Sequence, residues 1–315
     1  LHSLNTALPD LLASVLDGYG TSTTFTYLPI TNATVYTKGT GTPSTMIDVN
    51  AGRWLVSQLA RTDGSGGTSQ ATVTYSYEGA RKDAQGRGWL GFAKRTSIDN
   101  ALGHNLKTME IYRQDFPYIG ALLSSERQQS NGTRISFTSH AWANLLNGSG
   151  YAAYRYPYVS SSTTDIHEIV SPYAGTKVRS VTTALAAQPN GLDTTSGLVK
   201  DVTTTTTEVA TGLNPASSKT ERTNHTSVLN DTVNWCIGRP EATQQTNAHS
   251  LTFGSAITRT TAVTWDGANC RPTQLQVEPG SATMQVTVAL SYDTYGNVSN
   301  QSVTGINLPA RTTTT

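Results

Sequence analysis

The sequence predicts an all-β chain, built from successive antiparallel β-hairpins that join into one large sheet. Hydrophobic residues make up 36% of the 315 residues but charged residues only 14%, against about 25% in a typical globular domain. Threonine, serine, asparagine, glutamine and glycine replace the missing charge, and these residues are unfavourable in helix interiors. Tyrosine outnumbers phenylalanine 14 to 5, which suits half-buried strands whose rings pack while their hydroxyls reach water.

Turn residues separate alternating segments at several places along the chain. The earliest case is Asp17-Gly18-Tyr19-Gly20, which lies between residues 11–16 and 23–27. An Asp-Gly pair favours a tight hairpin turn, because both central residues of that turn need positive φ. The same arrangement predicts hairpins that pair 54–61 with 71–77, 121–129 with 133–142, 177–186 with 198–209, and 281–292 with 298–303.

Many of the predicted strands alternate apolar residues with small polar residues rather than with charged ones. Residues 24–27 (Thr-Phe-Thr-Tyr) and 284–288 (Met-Gln-Val-Thr-Val) show this pattern. One face of such a sheet is expected to pack, while the other is wettable and carries little charge. A short helical turn is predicted at 141–146, and the threonine run 203–207 is predicted to form a long exposed strand rather than a disordered linker.

The charge and hydropathy of the chain exclude two classes of partner. The formal net charge is +1, which gives no electrostatic footprint for nucleic acid or an anionic membrane surface. No apolar run approaches the roughly 20 residues that a membrane-spanning helix needs. The sequence therefore predicts no nucleic-acid partner and no membrane span.

Candidate active-site motifs are weak. Residues 86–91 (Gly-Arg-Gly-Trp-Leu-Gly) match a dinucleotide-binding fingerprint, but that fingerprint needs a helix after it. The next residues, 92–98, are predicted to form a strand, so the glycines are expected to make a tight turn with Trp89 and Phe92 packed inward.

The carboxylates Asp83 with Asp99, or Glu110 with Asp115, are the candidate acid pairs of a glycosidase, although solvated or turn-capping roles are favoured for them.

The six histidines, at positions 2, 104, 140, 167, 225 and 249, show no spacing typical of metal ligands. No Gly-x-Ser-x-Gly motif is present. The sequence therefore predicts no enzymatic activity, no catalytic residue, no cofactor and no metal site.

Two cysteines, Cys236 and Cys270, leave two alternatives open. In the first alternative they pair in a disulfide, which would close a loop of roughly 35 residues and contribute ~3–4 kcal/mol in the chain-entropy model. Alternatively they are two small buried hydrophobic residues on strands. The sequence favours neither.

Two stretches are more specific than generic hairpins. Residues 290–298 (Leu-Ser-Tyr-Asp-Thr-Tyr-Gly-Asn-Val) resemble a tyrosine–aspartate repeat of the Rhs/YD family, and 264–267 (Thr-Trp-Asp-Gly) resemble a degenerate copy. The other stretch runs from 73–79 to 89–92, ending in Trp-Leu-Gly-Phe. Together with 112–117 and the opening 9–20, it resembles the region after the β-propeller in insecticidal toxin-complex B components and virulence-plasmid B-type proteins.

The resemblance implies a noncatalytic, secreted structural segment. In that family, hairpins form a curved, hollow shell that encloses a toxin made from the C-terminal end of the same polypeptide. The implied partners are the rest of that polypeptide, the enclosed toxin and a toxin-complex translocation component. The family's Asp-Pro-x-Gly-Leu cleavage signature is not found in this sequence, so we expect the chain to be a fragment of a longer protein.

Three regions follow from the motifs. Residues 1–160 are predicted to be the toxin-complex B-like region, 161–230 a less patterned strand region, and 231–315 the YD/Rhs-like hairpins. An alternative function is a secreted β-rich adhesin or carbohydrate-binding module, since Tyr151, Tyr154, Tyr156 and Tyr158 are clustered. A glycan-degrading β enzyme is a weaker alternative.

Overall fold

A computed structural model describes residues 11–62, 70–148, 154–210, 215–251, 255–306 and 308–314. Within these ranges the regular elements are β-strands, with one 3-10 turn at Ala101–Gly103 and no α-helix. The prediction of an all-β fold is confirmed. The chain divides into two compact units, Leu1–Asn144 with Thr164–Lys177, and Leu145–Thr163 with Val178–Thr315. The three regions that the motifs suggest stay a prediction.

The first unit contains a meander of antiparallel strands. The strands up to the point where the chain passes to the second unit are β1 (Ser14–Leu16), β2 (Ser22–Pro29), β3 (Tyr36–Thr37), β4 (Met46–Asp48), β5 (Trp54–Thr62), β6 (Gln70–Glu78), β7 (Arg81–Asp83), β8 (Trp89–Gly91), β9 (Lys94–Asp99), β10 (Leu106–Tyr112), β11 (Leu122–Gln128), β12 (Arg134–Asn147) and β13 (Tyr154–His167). Along the sheet, β2 pairs with β1 and β5, followed in order by β6, β9, β10, β11 and β12. Strands β12 and β13 contribute residues to both units.

Two features of the first unit depart from this meander. Strand β3 pairs in parallel with the end of β6, Tyr36 opposite Tyr77, at positions beyond the part of β6 that pairs with β5. Strands β4, β7 and β8 form a separate three-stranded sheet. The 86–91 segment is thus the turn and second strand of the β7–β8 hairpin, and a strand rather than a helix follows it, as predicted.

The core of the first unit is small and lies beside β3, β5 and β6. Its buried residues are Ile30, Val35, Tyr36, Leu55 and Ala80, with Leu28, Val49, Tyr77 and Phe92 packed against them. The inward packing predicted for Phe92 is confirmed. The same prediction for Trp89 is wrong, because its side chain is 36% exposed. The Arg53 guanidinium lies 4.1 Å from the Trp89 ring centroid and covers it instead.

A buried glutamine joins two strand ends next to this core. Gln114 is 6% exposed, and its Nε2 donates to the backbone carbonyls of Gly79, at 2.8 Å, and Gly91, at 2.9 Å. Its Oε1 accepts a hydrogen bond from Arg81 at 3.2 Å. A buried amide with all of these partners fixes the ends of β6 and β8 in one arrangement.

The second unit is also a meander of antiparallel strands. These strands are β14 (Lys177–Leu185), β15 (Asp201–Glu208), β16 (Ser217–Asp231), β17 (Cys236–His249), β18 (Ile257–Asp266), β19 (Arg271–Val277), β20 (Val286–Tyr292), β21 (Val298–Gly305) and β22 (Leu308–Thr314). Each pairs with the next along the chain, from β14 to β22. The buried hydrophobic residues of this unit, among those described, are Leu192 and Cys236.

The five predicted hairpins all appear as paired strands, although the loop at 63–67 lies outside the described residues. The predicted helical turn at 141–146 is wrong, because these residues continue β12. There the Trp142 indole donates to the Leu122 carbonyl at 2.8 Å. The threonine run 203–207 is a strand, as predicted, but it lies between β14 and β16 and is largely half-buried rather than exposed.

The two cysteines form a disulfide, with their Cα atoms 5.2 Å apart. Cys236 begins β17 and is fully buried, while Cys270 ends the turn between β18 and β19 at φ 56°. The disulfide alternative is therefore confirmed. The other alternative is wrong, because the cysteines are paired and Cys270 lies in a turn rather than on a strand, although Cys236 is buried.

We expect Gln114→Ala to destabilise the chain by about 1–3 kcal/mol, because it leaves two buried carbonyls and Arg81 without their partner. Urea denaturation followed by far-UV circular dichroism measures the change. Gln301→Ala, at an exposed position on β21, is the matched control and should lie within about 0.5 kcal/mol of the parent. Equal midpoints for the two variants would contradict the role assigned to Gln114.

Candidate functional site

Three turns of the second unit are built in the same way. The aspartates Asp231, Asp266 and Asp293 stand at the ends of β16, β18 and β20 and accept backbone N–H groups from the turn that comes next. An asparagine three or four residues later donates its amide to the other carboxylate oxygen. These asparagines are Asn234, Asn269 and Asn297, at 2.7, 2.6 and 3.1 Å. The resemblance of 264–267 to the Tyr-Asp stretch thus has a physical basis in a shared turn.

The aromatic residue before each of the last two aspartates makes a second shared contact. Trp265 donates its indole N–H to the Pro240 carbonyl at 3.0 Å, and Tyr292 donates its hydroxyl to the Pro272 carbonyl at 2.6 Å. The arginine before each proline lies over the same ring, Arg239 at 5.7 Å and Arg271 at 5.5 Å from the centroids. Sequence reasoning missed this Arg-Pro pair, although the dipeptide occurs at 239–240 and again at 271–272.

Hydrogen bonding lowers the pKa of the three turn aspartates below the ordinary value of 3.8. The asparagine amide is the largest cause for each, followed by backbone N–H groups that favour the charged carboxylate. A carboxyl group with a lowered pKa in the folded state stabilises the fold above its unfolded pKa. That contribution is lost as the pH falls through the folded value.

The strand registers assign each residue of the second unit to one of two faces, because residues opposite each other on paired strands share a face. We call the face that contains Thr205 and its neighbours the small polar face. Its residues on the regularly paired parts of β14 to β22 are Ser180, Thr182, Ala184, Asp201, Thr203, Thr205, Thr207, Ser218, Thr220, Arg222, Asn224, Ala242, Gln244, Thr246, Ala248, Thr258, Thr260, Ala262, Thr264, Gln274, Gln276, Thr287, Ala289, Ser291, Asn300, Ser302, Thr304, Thr312 and Thr314.

The small polar face contains no branched aliphatic or aromatic residue at these positions. Its charged members, Asp201 and Arg222, are bonded to each other, with Arg222 Nε 2.8 Å from Asp201 Oδ1. Hydroxyl groups on neighbouring strands also contact each other, as in the 3.0 Å contact between Thr246 and Thr258. The face is therefore covered by hydroxyl, amide and methyl groups, and its one pair of opposite charges cancels.

The opposite face, which we call the mixed face, has a different chemistry. Between β18 and β21 it carries a contiguous aliphatic patch formed by Val263, Leu275, Val277, Val286, Val288, Leu290 and Val303. Toward β14 and β15 it carries ion pairs such as Arg179 with Glu208, at 2.6 Å. The two faces of this unit thus differ in chemistry, which single strands do not show and the registers do. That one face packs stays a prediction, because Leu275 and Val277 of the patch are exposed.

The carboxylates considered as acid pairs have structural partners. Asp83 accepts the backbone N–H of Gln85 at 2.7 Å, and Asp99 accepts that of Ala101 at 2.9 Å. Glu110 pairs with Arg95, and Asp115 pairs with Arg113. Each carboxylate thus caps a turn or pairs with an arginine.

The described residues contain neither a cluster of potential metal ligands nor a helix that could span a membrane. No group of three or more histidine, cysteine, aspartate or glutamate side chains is arranged to hold a metal ion within the part of the chain that the structure covers. Likewise, none of the described helical segments is long and apolar enough to cross a membrane.

Gly296→Val should destabilise the β20–β21 hairpin. Gly296 has φ +93°, and a Cβ atom there would lie 2.5 Å from Arg271 Nη2, so the substitution costs about 1–2 kcal/mol in backbone strain and displaces Arg271 from Tyr292. Thermal melting measures the loss. Gly267→Val is the control, because the nearest atom to a Cβ at Gly267 is 3.8 Å away. Equal melting of both variants would contradict the hairpin assignment.

Acid should weaken the three turns together. We expect the melting temperature to fall as the pH drops below about 4, because the unfolded carboxyl groups then bind protons more readily than the folded ones. Asp293→Asn keeps an oxygen acceptor but removes the titrating group, so its melting temperature should depend less on pH between about 5 and about 2 than that of the parent. The same slope in both proteins would show that Asp293 does not contribute.

No family model matches the chain, and no curated protein is significantly similar to it. Among solved structures, the chain is similar to the crystal structure of TcdB2-TccC3-TEV at 12% identity and a TM-score of 0.44, over 94% of this chain and 24% of that one. It is also similar to TcdB2-TccC3 without its hypervariable C-terminal region, at 10% identity and a TM-score of 0.41, over 90% and 24%. The chain thus spans about a quarter of these proteins. Because both TM-scores lie below 0.5, the function of the chain is inferred from its own strands and faces.

Proposed function

We propose that the chain is a noncatalytic segment of a toxin-encapsulating shell of the Rhs/YD type, and that the small polar face lines its interior. The observation that carries the proposal is the chemistry of that face over nine consecutive strands. The aromatic-Asp motifs at 265–266 and 292–293, with their shared turns, are the sequence features that support the same family.

The small polar face suits a surface that encloses an unfolded polypeptide. A nonnative chain exposes apolar side chains, which bind to apolar surface, and charges of either sign, which bind to opposite charges. At its regularly paired positions the small polar face offers neither large apolar groups nor unpaired charge. It therefore contacts such a chain without holding it tightly.

The partners follow from the proposal. The segment would contact the rest of its own polypeptide and the enclosed C-terminal toxin, and the complete shell would dock on a translocation component. The disulfide between Cys236 and Cys270 supports a secreted, extracellular location, because disulfides persist in oxidising compartments.

Maleimide labelling tests the proposal in the longer polypeptide that carries this segment. Gln244 and Gln245 are adjacent, exposed residues of β17, but Gln244 belongs to the small polar face and Gln245 to the mixed face. In the shell, Gln244→Cys should resist a bulky maleimide-polyethylene glycol, while Gln245→Cys should react. In the isolated 315-residue chain both should react at similar rates, which is the accessibility control.

Equal labelling of both cysteines in the longer polypeptide would overturn the proposal. Protection of Gln245→Cys alone would also contradict it, because the mixed face would then be the interior. The reaction is run without reductant, so that the native disulfide stays closed.

The adhesin alternative has one observation in its favour. Tyr156 and Tyr158 stack with centroids 6.5 Å apart, and the Tyr154 and Tyr156 side chains are about half exposed; Tyr151 lies outside the described residues. Saturable binding of an oligosaccharide that Tyr154→Ala abolishes, together with equal labelling of the two cysteines, would favour this function over enclosure.

A further inference from the structure

The disulfide of the second unit joins two chain segments at a point that their backbone ladder does not reach. The ladder between β17 and β18 pairs residues 242–247 with residues 257–262. Closer to the start of β17, the bond between Cys236 and Cys270 joins the two segments covalently. The buried hydrophobic residues described in this unit are Leu192 and Cys236, so little apolar packing would hold these segments once the bond opened.

The backbone at both ends of the disulfide lies in a conformation that residues with a Cβ atom avoid. Trp235, which precedes Cys236, has φ 58°, and Cys270 has φ 56°. The left-handed region is unfavourable for such residues, and most of all for bulky ones. The Trp235 side chain is 80% exposed, so packing of its ring does not offset the strain. Opening the bond would let both residues return to negative φ, which favours the reduced state.

A cationic group lies beside one of the two sulfur atoms. Arg239 Nε is 3.2 Å from Cys270 Sγ. Cys236 is fully buried, whereas Cys270 is half-buried at the end of a turn, so Cys270 is the half of the disulfide that a small thiol can reach. A guanidinium at this place attracts an incoming thiolate, and it stabilises the thiolate that Cys270 becomes on reduction.

We propose that the disulfide between Cys236 and Cys270 is a thiol-reducible clamp, which stays closed in an oxidising compartment and is opened by a low-molecular-weight thiol such as glutathione. A thiolate attacks Cys270 Sγ and forms a mixed disulfide, while the electron pair of the broken bond leaves on Cys236 Sγ, which takes up a proton. A second thiolate attacks the glutathione sulfur of the mixed disulfide and releases Cys270 as a thiolate beside Arg239. The protein disulfide is reduced to two thiols, and two glutathione molecules are oxidised to one glutathione disulfide.

The clamp is a property of two turns of this chain and does not depend on the proposed shell. Its opening frees the start of β17 from the turn between β18 and β19. If the chain is part of a shell wall, passage from an oxidising to a reducing compartment would loosen that wall at one end of these strands. The labelling experiment that tests the shell keeps the disulfide closed, so failure of one proposal is distinguishable from failure of the other.

A redox titration of the 315-residue chain tests the clamp. The chain is equilibrated in glutathione buffers, its free thiols are alkylated, and the reduced fraction is measured from the mass shift. We expect the disulfide to be reduced in a buffer as reducing as the cytosol, and to stay closed in one as oxidising as the endoplasmic reticulum. A disulfide that stays closed in the cytosolic buffer would overturn the proposal.

Arg239→Gln tests the role of the guanidinium. It should lower the equilibrium constant for reduction by about threefold at about pH 9, where the free thiols ionise, and leave it unchanged at about pH 6, where they stay protonated. Arg259→Gln, at an exposed position of β18, is the matched control and should behave like the parent at both pH values. An equal effect of Arg239→Gln at the two pH values would contradict stabilisation of the thiolate.

Trp235→Asn tests the strain, because asparagine accepts positive φ more readily than tryptophan does. The oxidised form should gain stability, so the equilibrium constant for reduction should fall by about threefold. Val233→Asn is the control, since Val233 is 90% exposed in the same turn and is not among the residues with positive φ. The same equilibrium constant in both variants would contradict the contribution of Trp235.

Hydrogen exchange measures what opening the clamp does to the fold. Reduction should lower the amide protection of residues 236–241 and 263–270 and leave the first unit unchanged. Cys270→Ser cannot form the bond and should show the same loss without any thiol. Equal protection in the oxidised and reduced chains would overturn the proposal, because the bond would then restrain nothing.

Discussion

Hydrogen bonding between consecutive strands is the interaction on which the rest of this molecule depends. In the second unit the described hydrophobic residues that are buried are Leu192 and Cys236, so burial of apolar side chains supplies less of the stability than in an ordinary domain. The strands are held instead by their backbone ladders, by cross-strand side-chain contacts and by the turns that begin each pairing. The Asp–Asn turns, and the disulfide that joins the start of β17 to the turn between β18 and β19, are therefore more important for stability than surface turns usually are.

The strands of the first unit are held together in a different way. There a compact core forms beside β3, β5 and β6. Gln114 joins the ends of two of these strands through the Gly79 and Gly91 carbonyls. The buried Gln114 amide therefore fixes strand ends in the first unit, and the repeated Asp–Asn turns fix strand ends in the second unit.

Local patterns predicted the hairpins well, because turn residues such as Asp17-Gly18 and Gly296-Asn297 act within a few residues of the chain. The failures are cases in which a distant partner decides the structure. Residues 141–146 have a composition that suits a helix, yet they extend β12, where Trp142 contacts the Leu122 carbonyl of β11. The threonine run at 203–207 looks exposed in isolation and is half-buried because strands lie on both sides. Similarly, alternation within one strand predicted a wettable face, but only the registers of nine strands show that it is continuous and almost free of charge.

The β-bulges next to the strand ends, together with the contacts beside them, limit slips in the pairing register of the sheet. Register shifts occur between Thr264 and Trp265 and between Ser291 and Tyr292, immediately before the Asp turns. A slip of one residue in any strand would turn its side chains to the other surface, and the valines of β20 would then replace threonine and alanine among the hydroxyl groups. The hydrogen bonds from Trp265 and Tyr292 to proline carbonyls fix the pairing register at the ends of β18 and β20. Without these contacts, so repetitive a threonine-rich sequence could pair in many registers of similar stability. The residues of the small polar face and of the mixed face would then be mixed on both surfaces of the sheet.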